Sequence, residues 1–205
     1  MKSLASILVG VALSLAELGC GGSKGGSTCG VAPCGGDVVG TWVGSSACID
    51  RALLNADIAP ALKGSCPTAT VAAVSLEPTG MLDLAADMSY TGTLAVNAML
   101  DVNYPASCVA SSTCADVTAP LRAAVGTNGI DSVNCPDTAA CTCTIVQTID
   151  IVNATGTWAT SGTTLTFANA PGGDGPYCVQ GSSLHMIALD ATGTKIVDDI
   201  VLTRQ

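Results

Sequence analysis

Eleven cysteines in a chain of 205 residues carry most of the chemistry that this sequence could perform. Cys141 and Cys143 flank Thr142, so on a strand they share a face and could present two thiolates to a soft metal ion or a redox partner. The C-x-x-C spacing of zinc ribbons and dithiol oxidoreductases occurs nowhere, and the cysteines read instead as structural disulfides with no metal. His185 is the only histidine; it lies in Ser183-Leu184-His185-Met186-Ile187, a strand pattern that places it at the surface or a rim. Glu77, the only glutamate beyond Glu17, is expected in a turn. With one histidine the usual proton shuttle at neutral pH is nearly missing, and no G-x-S-x-G, H-E-x-x-H, S-x-x-K or P-loop pattern occurs. Catalysis is therefore not expected, and no cofactor is implied. Asp198-Asp199 is the one acidic pair, set within a strand whose successive side chains point to opposite faces.

The N-terminus carries a different chemistry. Met1-Lys2, an apolar run from Leu4 to Ala16, and Gly19-Cys20-Gly21-Gly22 form the pattern of a bacterial lipoprotein export signal, in which Cys20 becomes the lipid-bearing first residue. The apolar run is too short to span a bilayer, which takes about 20 residues. Glu17 sits inside the cleavage motif, and a rival cut after Ser14-Leu15-Ala16 would give an unlipidated secreted or periplasmic protein. Cysteine parity favours the lipid: with Cys20 used, the remaining cysteines are even in number and can all close into disulfides. Gly21 in place of an Asp after the lipid cysteine points to the outer membrane.

Seven basic residues against 16 acidic give a net charge of -9, which excludes a nucleic-acid partner; the acidic residues are scattered and form no EF-hand loop. The chain divides into residues 1–19, the signal peptide, residues 20–36, a glycine-rich flexible tether, and residues 37–205, one domain. Aromatics are only 3% of residues, so its core must be built from Val, Ile, Leu, Ala and Met.

Strands are expected at 38–46, 71–76, 81–85, 88–104, 144–153, 156–160, 163–168, 177–180, 184–190 and 196–203, separated by turns such as Pro78-Thr79-Gly80, Ser161-Gly162 and Gly181-Ser182. Spacing of this kind indicates an all-β antiparallel meander closing into a barrel or sandwich. Two interruptions read as short helical insertions, at 50–62 and at 115–125, the second with Asp116 as its cap. Cys48 and Cys66 bracket the first and are the expected pair. Cys108, Cys114, Cys135, Cys141, Cys143 and Cys178 crowd around the second and are expected to pin it to the barrel, while the partners of Cys29 and Cys34 stay open.

Gly40-Thr41-Trp42 on the first strand and Leu202-Thr203-Arg204 on the last resemble the ends of a lipocalin-like barrel. The hairpin segments 156–167 and 177–184 are similar to repeats in lipocalin-like lipoproteins of Gram-negative bacteria. The resemblance spans residues 37–205 and implies that Trp42 packs at the closed end with Arg204 across it. It also implies a lipid-anchored, non-catalytic envelope protein that takes a small apolar ligand in or at the mouth of the barrel. The alternative is a structural or protein-interaction lipoprotein whose barrel is filled by its own side chains.

Overall fold

The computed structural model describes residues 30–49, 66–109, 113–126, 130–136, 141–170, 175–189 and 196–205. Within them the chain forms β1 (Gly40–Ile49), β2 (Thr70–Thr79), β3 (Met81–Leu84), β4 (Ser89–Tyr104), α1 (Ala106–Val109), α2 (Cys114–Ala123), β5 (Ile130–Asn134), β6 (Cys141–Ser161), β7 (Thr164–Phe167), β8 (Gly175–Gln180), β9 (Ser183–Leu189) and β10 (Ile196–Arg204). The expected helix at 50–62 lies outside the described residues.

Two long strands organise everything else. β4 pairs antiparallel with β6 from Ser89 opposite Thr157 to Tyr104 opposite Cys141. On its other edge β4 takes β3 at Tyr90–Gly92 and then β2 at Ala95–Asn103, while β6 takes β5 at Thr144–Gln147 and β7 at Trp158–Ser161. One end of the ribbon thereby closes a barrel of eight strands in the order β4-β3-β1-β10-β9-β8-β7-β6 and back to β4. The other end carries a four-stranded extension, β2-β4-β6-β5. The pieces expected at 144–153 and 156–160 are one strand that changes partners at a corner. Gly156 marks the corner, because a Cβ there would lie 2.5 Å from the Ala168 carbonyl and 2.8 Å from the Tyr90 ring.

Each end has its own core. Alternate residues of β4 point inward, and the barrel core joins Trp42, Leu82, Leu84, Tyr90, Leu94, Val152, Leu165, Phe167, Leu184 and Leu202. Tyr90 and Phe167 meet edge to face at 5.2 Å between centroids, and the Tyr90 hydroxyl donates to the Ala168 carbonyl at 2.8 Å. The extension buries Val71, Val74, Val102, Ile130 and Ile145 against Cys114, Val117 and Leu121 of α2. In this second core the Tyr104 hydroxyl is buried without a partner, and burial pushes its pKa up to about 12.

The cap of α2 is Thr113 rather than Asp116. The Thr113 side chain accepts from the Asp116 N–H, while Asp116 accepts from the Thr113 N–H at 2.9 Å, a reciprocal capping box. These hydrogen bonds hold the Asp116 carboxyl below its ordinary pKa. Glu77 lies within β2, opposite Asn97, and not in a turn, because Gly80 turns the chain three residues later at φ +84°.

The disulfide map differs from the sequence expectation at two points. Cys66 bonds Cys108 rather than Cys48. The reason is topological: β2 starts opposite the end of β4, with Thr70 facing Asn103, so the residues just before β2 meet α1 just after β4. Cys178 does not pin the second insertion but bonds Cys34, and Gly35 forms a parallel bridge to Cys178. Residues 30–36, which read as tether, thus include a segment fixed along β8. Cys114–Cys141 and Cys135–Cys143 do tie the second insertion to β6, and Cys48 is also disulfide-bonded.

Peptide mapping without reduction should recover Cys34–Cys178, Cys66–Cys108, Cys114–Cys141 and Cys135–Cys143, whereas a Cys48–Cys66 peptide would contradict the strand register. Removing Cys66–Cys108 in a double alanine variant should cost about 2–4 kcal/mol in denaturant unfolding.

Candidate functional site

At the closed end, β1 begins and β10 finishes side by side, with Trp42 in register with Arg204. Trp42 is 0% exposed, and its indole N–H donates to the Val38 carbonyl at 2.7 Å. The Arg204 guanidinium lies over the ring, with Cζ 4.5 Å from the centroid, and donates to the Asp37 carbonyl at 2.8 Å. A planar cation on an indole face is stabilised by the ring quadrupole, and its stem screens the barrel floor from water. The second Gly-x-Trp copy differs. Trp158 lies where β6 crosses to β7 and donates from Nε1 to the Ala85 carbonyl at 3.1 Å. The lower barrel is filled: Trp42, Leu82, Leu84, Leu94, Val152, Leu184 and Leu202 all have 0% exposure and pack as one cluster.

Further along β10 stands a cluster whose members lie apart in the sequence. β10 carries Asp198 and Asp199 in an otherwise apolar run, and its partner β9 carries His185. Asp198, Ile200 and Leu202 share the inner face, so the Asp198 carboxyl points into the molecule, between Ile49 and Ala188 on the flanking strands. Asp199 and His185 occupy the outer face. His185 is a partly exposed residue of that face, as its strand pattern led one to expect, but it is engaged rather than free. Its side chain is 14% exposed, with Nδ1 at 2.8 Å from Oδ2 of Asp199 and 3.1 Å from Oδ1.

The two carboxyls are held differently. Asp199 is 2% exposed; burial raises its pKa, opposed by the hydrogen bond and charge of His185. Asp198 is 8% exposed, and its Oδ1 has no hydrogen-bond partner. Burial first, and then the neighbouring Asp199 charge, push its pKa up to about 8 against an ordinary 3.8. At neutral pH Asp198 is therefore mostly an uncharged acid, able both to donate and to accept a hydrogen bond.

Among the described residues the cysteines form no comparable centre. Cys141 and Cys143 do share a face, but each is oxidised, to Cys114 and Cys135 respectively, which leaves no thiolate at either position. Cys20 and Cys29 lie outside the described residues. The signal that could have linked the β9–β10 cluster was present in the sequence, since an acidic pair flanked by Ile196-Val197 and Ile200-Val201 has too many apolar neighbours for an exposed edge. What the sequence lacked was the pairing that brings His185 to it. No protein-family model, curated protein or solved structure matches the chain.

Two substitutions test the energetics. Trp42→Ala should destabilise the protein by about 3–5 kcal/mol in urea unfolding, as truncation of a fully packed aromatic does. Asp198→Asn should act in the opposite direction. A group whose folded pKa is raised favours folding fully below its unfolded value of 3.8 and loses that contribution as pH rises towards about 8. The stability gain of Asp198→Asn over the wild type should therefore be small near pH 4 and grow to a few kcal/mol by about pH 8. Equal gaps at both pH values would show that Asp198 ionises as it does in water.

Proposed function

We propose that the protein is a lipid-anchored envelope protein without catalytic activity, held by Cys20 in the outer membrane, whose barrel takes a small apolar ligand at its mouth. The observation that carries the ligand reading is the position of Asp198. The lower barrel is occupied by its own side chains, whereas this carboxyl lies above that layer on the inner face, with one oxygen unpartnered. A buried polar atom with no partner costs about 1–3 kcal/mol, and a ligand that satisfies it recovers that cost. The residues flanking Asp198 on the inner face, where the barrel core ends, are aliphatic: Ile49, Ala188 and Ile200. Such a lining suits an apolar molecule with few polar atoms.

Cysteine chemistry supports the anchor. Four bridges occupy eight of the described cysteines, and Cys48 is in a further disulfide. If Cys20 is acylated, Cys29 is the remaining thiol for Cys48, and none is left odd in an oxidising compartment. Replacing the lipid-bearing Cys20→Ser should release the protein from the membrane fraction into the soluble periplasmic fraction. A wild-type chain that is already soluble and begins at Glu17 would reject the anchor and favour the secreted or periplasmic alternative.

The filled floor of the barrel favours a second reading, an interaction lipoprotein with no ligand. Its contact surface would be the outer face of β4, β6 and β5, where Thr144 donates to Asp101 at 2.7 Å and Thr148 to Asp131 at 2.7 Å, a polar sheet face set in one geometry. Titration with Nile red separates the two. Saturable fluorescence enhancement at one site per chain is expected for the ligand reading, and its absence leaves the interaction reading.

A further inference from the structure

We propose that Asp198 is the head-group anchor of this ligand site and that the ligand class is a cationic amphiphile, an aliphatic chain ending in a primary amine. The inference rests on the apolar-ligand reading of the barrel and adds the chemistry of the ligand's polar end.

Three features of the position argue for it. Asp198 lies at the seam between the two cores: its cross-strand neighbour Ile49 belongs to the core of the extension, and Ile200, two residues along the same face, belongs to that of the barrel. Packing changes hands there, and the side chains above and below are aliphatic. The residue keeps 8% exposure, so the site borders solvent, yet Oδ1 is enclosed and finds no donor among the described residues. Buried oxygens without donors are rare in folded chains, and an asparagine would fill the same volume without the burial of a charge.

The cation follows from the electrostatics. Asp199, adjacent in the chain on the opposite face, adds a second carboxyl to this strand, and His185 faces Asp199 rather than Asp198. No cation is directed at Asp198 from β9 or β10 among the described residues, and an ammonium group would supply the counter-charge that lets the Asp198 carboxyl ionise beside Asp199. The chain's net charge of -9 favours the approach of a cationic ligand over an anionic one. Binding converts the protonated Asp198 carboxyl and an alkylammonium ion into an ammonium–carboxylate pair, and the carboxyl proton passes to solvent. Charge and atoms balance without a further reactant.

Octylamine, octanol and octanoate share one chain and differ in head group, so calorimetric titration of the mature protein with each isolates the anchor. Octylamine should bind about tenfold or more tightly than octanol, and octanoate most weakly. At pH 7 octylamine binding should release close to one proton, measured by comparing buffers of different ionisation enthalpy, and Asp198→Asn should abolish both the proton release and the preference for the amine over octanol. The proton count is read on the wild type and needs no variant to fold. Equal affinity for amine and alcohol, without proton release, would overturn the anchor while leaving the apolar-ligand reading standing. Failure of all three probes, together with failure of Nile red, would remove both.

Discussion

The β4–β6 ribbon is the constraint on which the structure depends. Its pairing runs without interruption of partner from Ser89 opposite Thr157 to Tyr104 opposite Cys141, with a single register shift between Leu94 and Ala95. Because the ribbon is longer than the barrel is tall, each of its outer edges must serve two neighbours in turn. β3 and β7 continue the lower half into a ring, and β2 and β5 widen the upper half into an extension. The division into two cores follows from this excess length. Leu76 of β2 packs against both, the point at which one hydrophobic cluster hands over to the other.

The two ends solve the burial of polar groups in opposite ways. At the closed end, the indole N–H finds the Val38 carbonyl and one guanidinium nitrogen the Asp37 carbonyl, both just before β1, so a large ring is buried with its polar atom paired while the half-buried Arg204 leaves its Nε without a partner. On β9–β10 the two faces of one strand diverge. Asp199 is matched by His185 on the outer face, whereas Asp198 on the inner face has only its neighbour's N–H, and its proton is what makes burial tolerable. A fold that carries such a group pays in stability at neutral pH, a cost consistent with a site for something the chain itself does not supply.

Disulfides compensate for a core of small side chains by fixing the segments that the ribbon does not pair. Cys114–Cys141 and Cys135–Cys143 fasten the start of α2 and the residue after β5 to the start of β6, and Cys66–Cys108 closes the entry of β2 onto the exit of β4. Each joins segments that strand pairing has already brought close, so the bridges consolidate the topology rather than create it. Cys34–Cys178 does the same for the segment leading into β1, which would otherwise have little apolar surface with which to hold its place.

Alternation of apolar residues and the glycine-rich turns by themselves determined the all-β antiparallel class, most of the strands and the helix over residues 115–125, because these depend on local periodicity. The abundance of cysteines without a C-x-x-C spacing determined that the domain is stapled by disulfides. The partners did not follow, since Cys66 meets Cys108 only through the opposite directions of β2 and β4, and spacing along the chain carries no record of that. The same limit hid β5, a five-residue strand with weak alternation that is held by its pairing to β6. His185 and Asp199 are individually unremarkable in sequence. Their meeting, and the isolation of Asp198 behind them, were decided by the register of β9 against β10, because a two-residue repeat says which side chains share a face but not which strand lies beside them.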